Sequence, residues 1–108
     1  MLKKIKKTFL RGMMGYDITL EELKQKQLTG SIIIDVRNKR AYDEGHIEGS
    51  INIPEYEING LFTKIIPNKD TSIVVYCSSG YRSVTAYKKL KKMGYTHVYT
   101  LYGGLDNY

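Results

Sequence analysis

The seven residues Cys77-Ser78-Ser79-Gly80-Tyr81-Arg82-Ser83 hold the only cysteine of the chain. Before them lies Ile73-Val74-Val75-Tyr76, a short β-branched, strand-like run. After them, Ser83 to Met93 carries apolar residues at Val84, Tyr87, Leu90 and Met93, a helical spacing. Cys77 is therefore expected at a helix N-terminus. There, unpaired backbone N–H groups and the positive end of the helix dipole favour a thiolate, the nucleophilic form of cysteine. A lone cysteine is also commonly a small apolar core residue. Two serines, a glycine and an arginine in the next five positions instead fit a tight, anion-cradling turn.

Loop length separates two chemistries that use such a turn. Four residues lie between Cys77 and Arg82, whereas cysteine phosphatases and related oxyanion enzymes resemble one another in having five, a wider ring of amides suited to a tetrahedral oxyanion. The shorter loop suits one extra sulfur atom. The segment CSSGYRS resembles the active-site loop of the rhodanese family of persulfide-forming sulfurtransferases. Three other segments share the resemblance, in the same order along the chain: Ile32-Ile33-Ile34-Asp35-Val36-Arg37, Gly45-His46-Ile47 through Ile53-Pro54, and Leu101-Tyr102-Gly103-Gly104. Together they span roughly residues 16 to 108.

The resemblance implies that Cys77 attacks the outer sulfur of a donor such as thiosulfate and carries it as a persulfide, which a thiol or cyanide then removes. Two half-reactions of this kind give ping-pong kinetics. The amides of Ser78, Ser79, Gly80, Tyr81, Arg82 and Ser83 would cradle the anionic sulfur. Ser79 or Ser83 could add a hydroxyl donor, although Ser83 reads better as the cap of the following helix. Arg82 has two readings: binding an anionic donor, or pairing with Asp35 at the end of the neighbouring strand, and the pairing is the expected one. Arg37 is read as loop support with Glu44 as its partner, His46 as a local hydrogen-bonding post and His97 as a structural residue. Tyr81 either shapes the pocket or is a surface tyrosine. Ser78 and Ser79 are uncharged where the strongest thiosulfate-to-cyanide transferases of the family resemble one another in carrying basic residues, which points to thiols, including a partner protein's thiol, as acceptors. Other classes compatible with the loop are a non-catalytic sulfur-carrier, sensing or protein-interaction module and, more distantly, a cysteine phosphatase or arsenate reductase.

Composition limits the alternatives. The chain has 108 residues, 42% hydrophobic and 26% charged, ordinary values for one globular domain. One cysteine and two histidines leave no internal disulfide and no metal cluster to expect. No cofactor is expected either. A single reactive thiol is easiest to keep in a reducing compartment, so the cytoplasm is expected. Residues 1–14 read as a basic extension, with Leu2, Ile5, Phe9 and Met13 on one face of a short helix and lysines opposite. This helix would pack on the domain or touch an anionic surface. It lacks the apolar run of a signal peptide or membrane span. The net charge of +6 comes mostly from Lys3, Lys4, Lys6 and Lys7 and from Lys88, Lys89, Lys91 and Lys92. The second group reads as the solvated face of the helix after Cys77. With no recognition element interleaved, nucleic acid is not expected as a partner, and a monomer is.

The elements that must position the loop follow from pattern. Tyr16-Asp17-Ile18 reads as a first short strand, and Thr19-Leu20-Glu21-Glu22 as a capping box opening a helix through about Gln27. Ile32-Ile33-Ile34-Asp35 reads as a strand buried on both faces, Asn38 as the cap of a short helix ending near Gly45, and Ser50 to Ile53 as a brief strand. A helical piece between Glu55 and Ile65, the strand before Cys77, its helix, and a last strand Val98 to Leu101 complete the pattern. This alternation predicts an α/β fold. The resemblance adds a single domain over residues 15–108, with a five-stranded, mostly parallel sheet flanked by helices. Ligands in such sheets bind beyond the carboxyl ends of the strands, where Cys77 falls.

Overall fold

Two runs, Ile32–Asp35 and Ser72–Tyr76, are too apolar to leave either face in water, and they form the middle of a sheet covered on both sides. The computed structural model describes residues 12–108. In chain order the elements are β1 (Asp17–Ile18), α1 (Leu20–Leu28), β2 (Ile32–Asp35), α2 (Lys39–Glu44) and β3 (Ile51–Asn52). A 3-10 turn (Glu55–Glu57) then leads into α3 (Ile58–Ile65), β4 (Ser72–Tyr76), α4 (Tyr81–Lys92), β5 (His97–Leu101) and a last 3-10 turn (Leu105–Asn107). The five strands lie in the order β1-β5-β4-β2-β3, every neighbouring pair parallel.

Alternation along the strands divides the core. Ile34, Ile73, Val75 and Cys77 pack with Phe62 of α3 and with Ala86 and Leu90 of α4. Ile33, Val74 and Tyr76 pack with Leu23 of α1. Cys77 continues the buried face of β4 by one residue, which fixes the direction of its side chain before the loop begins.

Local sequence accounts for the helix starts. Thr19 Oγ1 accepts from Glu22 N at 3.1 Å and Glu22 Oε1 accepts from Thr19 N at 2.8 Å, the reciprocal pair of the capping box. Asn38 Oδ1 accepts from Ala41 N at 2.8 Å. The first strand starts one residue later than expected, at Asp17, and the last one residue earlier, at His97. Three further elements differ from expectation. The piece between Glu55 and Ile65 is two elements, Ser50 to Ile53 shortens to Ile51–Asn52, and the helix after the cysteine loop opens at Tyr81 rather than Ser83. The basic helix expected within residues 1–14 falls largely outside the described residues; Met13 and Met14 are half exposed. Among the described residues no helix is long and apolar enough to cross a membrane, and no three of His, Cys, Asp and Glu gather as metal ligands.

Candidate active site

β4 ends at Tyr76 and α4 begins at Tyr81, so the four residues Cys77 to Gly80 must turn the chain from sheet to helix. Gly80 makes this possible. It is the N-cap of α4 with φ +94°, a left-handed conformation that costs glycine nothing and any other residue a steric penalty. The turn folds the start of α4 back over the sulfur: Gly80 N donates to Cys77 Sγ at 3.1 Å and Ser83 N at 3.3 Å. These two amides are donors that α4 itself leaves unused, and they favour negative charge at the sulfur position. Ser83 is therefore not the helix cap. With Gly80 in the left-handed region the helix opens two residues earlier, leaving Ser83 inside the first turn, where its hydroxyl donates to Gly80 O at 3.2 Å.

The carbonyls of the loop are held from the other side. Cys77 O accepts from Leu105 N at 2.9 Å and Ser78 O from Asp106 N at 2.8 Å, so the turn after Gly103-Gly104 clamps the loop's backbone. Cys77 is only 2% exposed, yet it lines an open cavity of about 410 Å³ together with Arg37, Glu55, Ser78, Ser79, Tyr81, Arg82 and Thr85. That volume lies within the range of small-molecule sites. Ser78 and Ser79 are half-buried at its edge, and Tyr81 is 47% exposed at its mouth.

The acid–base pairing differs from the expected one. Asp35 is fully buried and both its oxygens belong to Arg37: Nε lies 3.0 Å from Oδ1 and Nη2 lies 2.7 Å from Oδ2, while the backbone Arg37 N donates to Oδ1 at 2.9 Å. A residue two positions on in the same corner reaches the carboxylate with little chain to order, so Arg82 is not its partner. Nor does Glu44 pair with Arg37. Glu44 faces Arg40 one helical turn away at 3.5 Å, and the second contact of Arg37 is Gly45 O at 2.6 Å. Hydrogen bonds to Asp35 hold the Arg37 pKa above its ordinary value, against the effect of burial. Arg82 is exposed on the first turn of α4, and among the described residues its guanidinium has no hydrogen-bond or ion-pair partner.

Behind the corner, Tyr76 OH accepts from Ile47 N at 3.0 Å and lies 3.1 Å from Ser50 Oγ. Burial pushes the Tyr76 phenol up to about 12, so it stays neutral and ties the Gly45–Ser50 segment to β4. His46 stacks on Tyr42 and its Nδ1 lies 2.7 Å from Tyr42 O, away from the cavity. His97 Nδ1 lies 2.9 Å from Thr96 Oγ1 at the far end of β5.

The geometry is thus a single cysteine under two helix-start amides, in a cavity with one arginine unpaired among the described residues. The family model described as Rhodanese-like domain matches residues 19–108. The chain belongs to the rhodanese family. The thiosulfate sulfurtransferase PspE of Escherichia coli is 42% identical over 74 residues, covering 68% of this chain and 70% of PspE. A solved structure titled rhodanese with anions, from E. coli, superimposes with a TM-score of 0.66 at 38% identity, over 72% of this chain and 91% of that one. The tRNA uridine(34) hydroxylase of onion yellows phytoplasma is 35% identical over 92 residues, 82% of this chain but only 30% of the hydroxylase. This rhodanese-like chain thus spans less than a third of that larger relative.

The rhodanese loop and its Asp35–Arg37 corner meet as the motif order implied, but two cavity or corner residues carried no signal of their own in sequence. Asn52 donates from Nδ2 to Asp35 O at 3.0 Å and to Arg37 O at 2.9 Å, pinning the corner to β3. Glu55, directly after the Ile53-Pro54 segment, enters the cavity wall. Its only sequence cue was that adjacency.

Proposed function

We propose that this protein is a sulfurtransferase that carries a sulfane sulfur on Cys77. The observation that carries the reading is the placement of the Cys77 sulfur under the amides of Gly80 and Ser83, within a cavity whose one cation unpaired among the described residues is Arg82. In the first half-reaction the Cys77 thiolate attacks the outer sulfur of thiosulfate. An Sγ–S bond forms, the S–S bond of the donor breaks, and its electron pair leaves with sulfite. In the second, an external thiolate attacks the outer sulfur of the persulfide, takes it as a new persulfide, and returns Cys77 as thiolate. The activity named for PspE and the anions of its solved E. coli relative support an anionic donor. With one cysteine in the chain, no internal disulfide can release the sulfur, so the acceptor comes from outside. Cys77 with Ser78 to Ser83 forms the working loop, Asp35 and Arg37 support it, and the cytoplasm suits its lone thiol.

Intact mass tests the reading. Incubation with thiosulfate is expected to add one sulfur, about 32 Da, and a small thiol to remove it, as two separable half-reactions require. A protein that never gains this mass from thiosulfate overturns it.

Arg82 gives a second expectation. Because its side chain is exposed and has no partner among the described residues, Arg82→Ala should leave the melting temperature nearly unchanged. The KM for thiosulfate should rise by about tenfold, with a smaller change in kcat, as for loss of binding that ground and transition states share. A variant that instead melts several degrees lower with unchanged KM would show that Arg82 supports structure.

A further inference from the structure

The cavity of Cys77 is lined by an acidic residue, Glu55, that sulfur transfer does not use. Glu55 stands on the turn after Pro54, where its backbone N–H donates to Val36 O at 2.9 Å and anchors the turn to the end of β2. Glu55 lines the cavity, and its Oε2 lies 2.6 Å from Lys89 Nζ on α4. Lys89 Nζ also approaches Glu55 O at 3.4 Å. Both side chains are sheltered, 20% exposed for Glu55 and 31% for Lys89. Lys89 is thus no member of a solvated basic face; Lys88 and Lys92 remain in water.

A negative charge beside the seat of a small dianion is repulsive, and the charges around this cavity are nearly balanced. Arg37 is committed to Asp35 and Glu55 to Lys89, which leaves Arg82 as the lining cation without a partner among the described residues. In a partly sheltered site an uncompensated unit charge at several ångströms changes the binding of a dianion by about three- to tenfold.

We propose that the Glu55–Lys89 ion pair is a specificity element of the donor site, setting how tightly the cavity holds small dianions. The proposal rests on the sulfurtransferase reading for its biological donor. While the pair is closed, the ammonium and the carboxylate cancel and a dianion meets chiefly Arg82. Removing either charge exposes the other to the same cavity, so the two single substitutions act in opposite directions. A brace that only joined the turn to α4 would make both substitutions act alike.

The test uses wild type, Glu55→Gln, Lys89→Gln and the double variant, with thermal melts as a folding check and Lys89→Arg as the conservative control. The KM for thiosulfate is expected to fall about fivefold in Glu55→Gln, to rise about fivefold in Lys89→Gln, and to return within about twofold of wild type in the double variant and in Lys89→Arg. Salt dependence should be steepest in Glu55→Gln. Equilibrium titration with sulfate, a dianion that cannot donate sulfur, should give the same order of affinities. Shifts of both single variants in one direction, or no shift with either anion, overturn the proposal. Absence of mass gain from thiosulfate in the wild type overturns the sulfurtransferase reading alone, since the sulfate order still decides the role of the pair.

Discussion

Serine at position 77 is expected to abolish sulfur transfer, lowering kcat/KM by at least about 10⁴-fold, while the protein still folds. Both halves of this expectation come from the geometry. The thiolate is the only group in the cavity that can hold a sulfur covalently, and a serine hydroxyl without a general base beside it is a poor nucleophile. His46 and His97 are turned to their own local partners and Glu55 is paired with Lys89, so none of them is placed to activate a serine. Stability changes little because Cys77 sits at a buried position where a hydroxyl still offers an acceptor to Gly80 N and Ser83 N. The cost should be about 1 kcal/mol, whereas Cys77→Ala, which leaves both amides facing an apolar methyl, should cost about 1–3 kcal/mol. Mass spectrometry after thiosulfate, steady-state rates and thermal melts on the two variants check these points. Transfer retained by Cys77→Ser would eliminate the persulfide mechanism.

Much of the fold was legible because the signals were local and strong. Ile32–Asp35 and Ser72–Tyr76 are short, β-branched runs that only a doubly covered strand accommodates, and Thr19 and Asn38 carry their caps within three residues. The position of Cys77 at the end of a central strand and the start of a helix followed from the change of period on either side of it. What sequence order could not decide was which charge meets which. Asp35 had two arginines to choose from, and the one in its own corner reached it, because a backbone amide and a guanidinium of the same residue satisfy the carboxylate together. Lys89 looked like its neighbours Lys88 and Lys92 until the fold brought the Glu55 turn against α4. Ser83 was misplaced for a different reason. Its residue type suits a cap, but the left-handed Gly80 sets the first turn of α4, and a conformation of that kind is a property of the loop as a whole.

The Gly103-Gly104 turn shows a further limit, and it carries the second large effect. A Gly-Gly pair in sequence is ordinary turn chemistry, and nothing there distinguishes one glycine from the other. In the structure they differ sharply. A Cβ on Gly103 would crowd Asn107, whose Cβ and Cγ lie at 2.6 Å and shift only with the last turn that carries them. A Cβ on Gly104 would run into backbone, namely the Ser78 carbonyl group and, at 2.7 Å, the carbonyl oxygen of Cys77. Gly104 also has φ +67° and ψ −172°, a region almost reserved for glycine. Gly104→Ala therefore combines a strained backbone with a clash that neither side can relieve by rotating a side chain, and it should cost about 2–5 kcal/mol. The damage should fall on catalysis as well. To admit the methyl group, the turn must move off the loop, loosening Leu105 N from Cys77 O and Asp106 N from Ser78 O, and with them the aim of the sulfur under its two amides. A displacement of about 1 Å at a reacting group is enough for roughly a hundredfold loss in rate. Gly30→Ala is the matched control: φ is +106° there too, but the new Cβ faces open space. It should cost about 1 kcal/mol and leave transfer unchanged. Melts and single-turnover transfer from thiosulfate on the two variants separate backbone strain from loop displacement. If Gly104→Ala melted and turned over like Gly30→Ala, the C-terminal turn would have no part in holding the cysteine loop.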